Sequence, residues 1–326
     1  MVENGTTIKS GEGKRLANAN VARLLALLHG VSPLPTISSS SYEIDWSQVR
    51  PIEEFDHIKA HLRTPITTQN APNRRIVNGQ EARPGQFPYQ VALLGQFNAG
   101  IGLCGASIIT QRYVLTAAHC VYTGVDASAP VANGTAILGA HNRMIEEPSQ
   151  QRITFSSSGV IGHPGYDLFD VRNDIAVVRL DELIVYTDRI QPIRLPSRSD
   201  TRTFAGLMGT VSGYGIYSTA NPGLSDVLNY VLNPVMTNAD CRAGWSGLEW
   251  LIEAQNICQS GDGGRAACNS DSGGPLTVQD SGESLQVGVV SFGSSGGCDN
   301  GVPTVFARVT YYLEWIEANS DFTPDV

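Results

Sequence analysis

The chain has 326 residues, enough for two domains or for one large two-barrel domain with an appendage. Hydrophobic residues make up 41 % and charged residues only 16 %, with 34 glycines and 17 prolines. That balance excludes disorder throughout and favours short strands and turns over long helices. The net charge of −9 argues against a nucleic-acid or anionic-membrane binder. No apolar run reaches the roughly 18 residues that a spanning helix needs.

Residues 1–75 read as an appendage. They hold nine basic and seven acidic side chains, whereas residues 76–326 hold 13 and 24. All three lysines, Lys9, Lys14 and Lys59, fall in the first part. A serine run at Ser38–Ser41 and prolines at 33, 35, 51, 65 and 72 interrupt any long element. Lys14 and Arg15 precede an apolar stretch at Val21–Gly30 that Arg23 interrupts. Within 14–35 this reads equally as a degenerate secretory signal or as a short amphipathic helix.

From Ile76 the texture changes. Strands are expected at Gln90–Leu94, Ala106–Ile109, Arg112–Thr116, Ile175–Leu180, Leu207–Ser212, Leu228–Val231, Leu285–Phe292 and Thr304–Val309, with Gly, Pro, Asn and Ser clusters between them. Such spacing predicts an all-β sandwich or barrel. Val309, Tyr312, Leu313, Trp315 and Ile316 recur at helical spacing, so a C-terminal helix is expected to end at Asn319. There is no internal repeat of roughly 20–50 residues.

The six cysteines, Cys104, Cys120, Cys241, Cys258, Cys268 and Cys298, all lie beyond residue 103. An even count with no Cys-x-x-Cys pair points to three disulfides and an oxidising, extracellular compartment rather than zinc.

Three segments carry chemistry together: Leu115-Thr-Ala-Ala-His-Cys120, Asn173-Asp-Ile-Ala-Val177 and Asn269-Ser-Asp-Ser-Gly-Gly-Pro275. Each alone is weak, because a lone His, a turn Asp or a Ser-Gly-Gly loop is common. In the order His119, Asp174, Ser272 they are the parts of a nucleophilic triad. A serine hydroxyl is a poor nucleophile near neutral pH and needs a base within hydrogen-bond reach. Imidazole can take that proton and return it to a leaving amine. A buried carboxylate fixes the imidazole's tautomer and stabilises its cation.

Residues 76–326, 251 in all, resemble the chymotrypsin family of serine endopeptidases, with the three boxes in family order. The resemblance implies two six-stranded antiparallel β-barrels with a C-terminal helix, an active site between the barrels, and a largely irregular pro-region at 1–75. It implies disulfides Cys104–Cys120, Cys241–Cys258 and Cys268–Cys298. Backbone N–H groups of Ser270 and Ser272 would form the oxyanion hole, with Ser270 standing where the family carries Gly. Asn73-Arg-Arg-Ile-Val-Asn-Gly79 resembles the family's activation site. Cleavage after Arg75 would free the Ile76 amine to pair with Asp271.

Alignment on Cys268 and Ser272 places Ala266 at the floor of the specificity pocket, where trypsin-like members carry Asp. Ser291 and Gly293 form its wall and Thr304 a second floor position. The pocket is expected to take Phe, Tyr or Leu, with small residues as the elastase-like alternative. The expected activity is a secreted, digestive serine endopeptidase made as a zymogen. A non-catalytic homologue acting as a binding protein is the alternative. Expected partners are protein and peptide substrates, an activating trypsin-like protease and protein protease inhibitors, with a monomeric chain, no nucleic acid and no membrane. No cofactor or metal is expected, because Ala140 replaces the first carboxylate of the family's calcium loop. Asn133-Gly-Thr135 is an N-glycosylation acceptor expected in a loop. Gly209 and Val278 stand at the positions of an absent fourth bridge.

Overall fold

In a computed structural model of the chain, residues 44–59, 79–216 and 223–324 are described. The expectations at 14–35, Arg75 and Ile76 lie outside these residues. The chain divides into two units between Asp45 and Trp46, and every strand and helix below belongs to the second.

The first barrel-like sheet holds β3 (Gln90–Phe97), β4 (Gly100–Ile108), β5 (Tyr113–Thr116), β6 (Asn133–Leu138), β7 (Gln151–Ser156), β8 (Val160–Gly162) and β9 (Ala176–Arg179), in the order β7-β6-β3-β4-β5-β9-β8. β7 and β8 are halves of one run broken by a 3-10 turn at Ser157–Gly159, so that run pairs with β6 at one end and β9 at the other. The second sheet follows β10 (Met208–Gly213), β11 (Asn229–Met236), β12 (Asn256–Gln259), β13 (Pro275–Asp280), β14 (Glu283–Phe292) and β15 (Thr304–Arg308). It closes through β10–β11 pairing, and a two-residue strand, β2 (Gln80–Glu81), extends it beside β11. Each sheet therefore contains the six-stranded barrel that the resemblance implies.

Closure fills each barrel with side chains. Val91, Leu93, Leu115, Ile153 and Val177 belong to the first core, and Val211, Ile257, Leu276, Val287 and Phe306 to the second. Gly209 faces Val278 across β10 and β13, so apolar packing occupies the place of the absent bridge. The structure joins Cys104 to Cys120, Cys241 to Cys258 and Cys268 to Cys298. Each closed loop restricts the unfolded chain, a stabilisation of about 2–4 kcal/mol. A helix at Val309–Ala318 presents buried Val309, Tyr312, Leu313 and Ile316, and Asn319 is its C-cap. Among the described residues no helix is long and apolar enough to cross a membrane.

One expectation needs correction. Asn133 is exposed but opens β6, pairing with Ser156, rather than sitting in a loop. Within residues 1–75 the described stretch includes Trp46–Lys59, which forms short elements packed on the first sheet. It forms a 3-10 turn at Trp46–Gln48, strand β1 (Val49–Pro51), a second 3-10 turn at Ile52–Glu54 and one helical turn at Asp56–Lys59. β1 runs parallel to β4, with Val49 opposite Ile101, Arg50 opposite Gly102 and Pro51 opposite Leu103. Ile52, Phe55 and Ile58 join the first barrel's core. Gly102 permits this, because a Cβ there would stand 2.9 Å from Ile52 and 2.8 Å from the Phe97 ring.

Candidate active site

His119 sits in the 3-10 turn Ala118–Cys120 that follows β5 and is pinned by the Cys104–Cys120 bridge. Asp174 immediately precedes Ile175 and β9, the antiparallel partner of β5. The preceding Asn173 takes a positive φ of 51°. Its side chain donates to the Gly165 carbonyl and accepts from the Tyr312 hydroxyl, which holds this turn. Ser272 closes the loop before β13. Gly273 after it has φ +79°, and a Cβ there would collide with the Thr116 hydroxyl at 2.2 Å, so only glycine fits.

Pairing of β5 with β9 brings His119 and Asp174 together. Their side chains meet at 2.8 Å between Nδ1 and Oδ2, and the other carboxylate oxygen accepts the His119 backbone N–H at 3.0 Å. The Ser291 hydroxyl donates to Asp174 at 2.6 Å. Sequence reasoning gave Ser291 to the pocket wall alone. Its second task was not legible, since it depends on β14 crossing beside Asp174. Burial alone would lift the Asp174 pKa, but His119 and these donors outweigh it and hold it below the ordinary range. Burial likewise pulls the His119 pKa down, and the Asp174 and Glu53 carboxylates more than reverse it.

His119 and Ser272 line one cavity together with Ala266, Ser291, Gly293 and Thr304. Ala266 and Thr304 are buried and small, and a Cβ at Gly293 would meet nothing within 4 Å, so the cavity is open there. The only carboxylate among the described lining residues is Glu53.

Glu53 is the site residue that sequence reasoning missed. Its Oε1 accepts the Ser272 hydroxyl at 2.7 Å, and the Ser270 backbone N–H points at both carboxylate oxygens, 3.1 and 3.0 Å away. No local pattern signals a contact between residues 219 apart in sequence. Burial raises the Glu53 pKa, against the pull of Ser272, its own backbone, His119 and Ser270. Ser270 holds φ 71°, the left-handed region that glycine prefers, and its buried hydroxyl finds no partner among the described residues.

Asp271 is buried. Its carboxylate accepts the backbone N–H groups of Gly215 and Cys268, both at 2.9 Å. Desolvation still pushes its pKa up to about 7. Tyr214 is buried and donates its hydroxyl to the Ala140 carbonyl. In the loop at 139–147, Glu147 accepts the His141 backbone N–H and Glu146 pairs with Arg152. The one described cluster with metal-ligand character, Cys104, His119 and Cys120, has its sulfurs joined to each other and so offers no thiolate.

Comparison with known proteins places this geometry. A family model described as Trypsin matches residues 76–316. The chain is 39 % identical over 249 residues to brachyurin of Leptuca pugilator, covering 76 % of this chain and 100 % of that protein. It is 36 % identical over 252 residues to a chymotrypsin of Phaedon cochleariae, covering 77 % of this chain and 84 % of that protein. The solved structure titled HL collagenase superposes with a TM-score of 0.65 at 33 % identity, over 76 % of this chain and 99 % of that one.

Proposed function

Since the chain belongs to the trypsin family of serine endopeptidases, we propose that His119, Asp174 and Ser272 are its catalytic triad and that it cleaves after apolar residues. In this mechanism Ser272 Oγ bonds to the scissile carbonyl carbon while His119 Nε2 takes its proton. The carbonyl oxygen becomes an anion facing the N–H groups of Ser270 and Ser272. Collapse breaks the C–N bond, and His119 protonates the departing amine. Water, deprotonated by His119, then releases the acyl group from Ser272. The observation that carries this reading is the Asp174–His119 hydrogen bond at the rim of the cavity holding the Ser272 hydroxyl.

Substrate preference follows from the floor. An Arg or Lys side chain would find no native carboxylate beside Ala266 once Glu53 has left, and an unpaired buried cation costs several kcal/mol. Phe, Tyr and Leu are the proposed preference. The buried Thr304 makes the floor shallower and favours Ala or Val as the second reading.

The chain is proposed to be a secreted, monomeric zymogen, cut after Arg75 by a trypsin-like protease and open to protein protease inhibitors. The lone buried Asp271, with its raised pKa, supports a role as the acceptor for the Ile76 ammonium. A digestive setting, including a gut lumen, is supported by the lysine-free sequence after Lys59, since Arg stays charged where Lys begins to neutralise. The test is cleavage with trypsin, N-terminal sequencing for Ile-Val-Asn-Gly, and a peptide panel with Ser272→Ala as control. Turnover after Phe, Tyr or Leu is expected, and turnover confined to Arg or Lys would overturn the pocket assignment.

A further inference from the structure

We propose that the Ser270–Ser272 loop is a carboxylate-binding site whose resident ligand is Glu53, and that residues 46–59 are an inhibitor of the protease that stays bound after the chain is cut at Arg75. The inference rests on the reading of Ser272 as nucleophile and Arg75 as cleavage site.

Two of the hydrogen-bonding groups assigned to chemistry already have a partner. The Ser270 N–H and the Ser272 hydroxyl both point at the Glu53 carboxylate, at 2.7–3.1 Å. A substrate carbonyl needs the same space, so Glu53 and substrate exclude one another. A side-chain carboxylate puts no peptide bond beside Ser272 Oγ, so the segment blocks the nucleophile without being cut there. Ile58, five residues on, lines the same cavity as Ala266 and Thr304, so the segment also forms part of the wall beside the proposed specificity pocket.

The segment is held by more than one carboxylate. β1 pairs with three residues of β4. The Arg50 guanidinium donates to the Ala99 carbonyl at 2.7 Å and lies 4.2 Å from the Phe55 ring centroid. Phe55 in turn meets Phe97 at 4.8 Å between centroids, and Trp46 lies under Arg143 at 4.9 Å. Ile52, Phe55 and Ile58 are each at most 3 % exposed. None of these anchors involves Arg75. The first 103 residues contain no cysteine, so no disulfide retains the segment and binding after cleavage is non-covalent and reversible.

The experiment compares full-length wild type, Glu53→Gln and Glu54→Gln, each cut at Arg75 with limiting protease and checked by mass for an intact 46–59. Glu54 is exposed and serves as the control. Activity is read at micromolar enzyme, on dilution, and after the segment is stripped by gel filtration in mild denaturant. Wild type and Glu54→Gln are expected at least tenfold below their stripped forms, recovering on dilution. Glu53→Gln is expected within about threefold of its stripped form at once. Equal and immediate full activity of all three would overturn the inference. If the stripped enzymes hydrolyse nothing, the proposed function fails instead. The binding half of the inference is then decided by co-elution of the segment with the cut wild-type chain: retention supports it, and release on cleavage at Arg75 refutes it. A further readout is independent of turnover. Removing the Glu53 charge should lower the pKa of the His119 imidazole in the uncut chain, followed by NMR titration.

Discussion

At the scale of single residues the site combines a strained donor with two buried acids. Ser270 sits at φ 71° with an unsatisfied hydroxyl, where a non-glycine residue carries about 1–3 kcal/mol of strain. Ser270→Gly removes both penalties while keeping the N–H. The expected result is a gain on the order of 1 kcal/mol in unfolding free energy and less than a tenfold change in kcat/KM. An increase above a hundredfold would mean that the serine distorts the oxyanion site. Asp271 carries a pH signature with a definite sign. Its pKa in the folded, uncut chain is raised to about 7 against an ordinary value near 3.8, so folding takes up a proton between those values. Its contribution is fully present below about pH 4 and is lost as pH rises through about 7, a change of several kcal/mol. Urea unfolding of the uncut chain from pH 4 to 8 should show this loss, and Asp271→Asn should flatten it. An unchanged slope in the variant would place the pH dependence elsewhere.

At the scale of elements, the segment Trp46–Lys59 behaves as a structural part of the first barrel. Phe55→Ala deletes a ring that is 2 % exposed and tilted against Phe97, so it should destabilise the uncut chain by about 3–5 kcal/mol. Unchanged thermal unfolding would mean that the segment is a loose appendage. The legibility of elements follows the same logic of burial. β14 and β15 are plain in the sequence because consecutive residues of each are buried and most of these are apolar. β6 begins with Asn133-Gly-Thr135 and β7 with Gln151 and Arg152, so polar residues disguise their strand character. β12 hides for another reason: Asn256 and Gln259 are buried, and Gln259 donates its amide N–H groups to the Gly209 and Asn233 carbonyls. β1 and Glu53 have no local signature, since their meaning lies in partners contributed by β4 and the Ser270–Ser272 loop.

For the whole molecule, two closed barrels set three sequence-distant segments around one cavity, and an N-terminal segment lines part of it through Glu53 and Ile58. The resemblance made His119, Asp174 and Ser272 readable because each sits in a box of recognisable neighbours. It could not reveal this contact, because nothing in residues 46–59 marks Glu53 out from Glu54 before the chain folds. The most direct test of the account is labelling of the cut and stripped protein with a serine-directed phosphonate, read by peptide mass mapping alongside activity. One adduct on Ser272, with hydrolysis falling in step with labelling, is the predicted result. Hydrolysis that persists in fully labelled protein, or an adduct on any other residue, would contradict it.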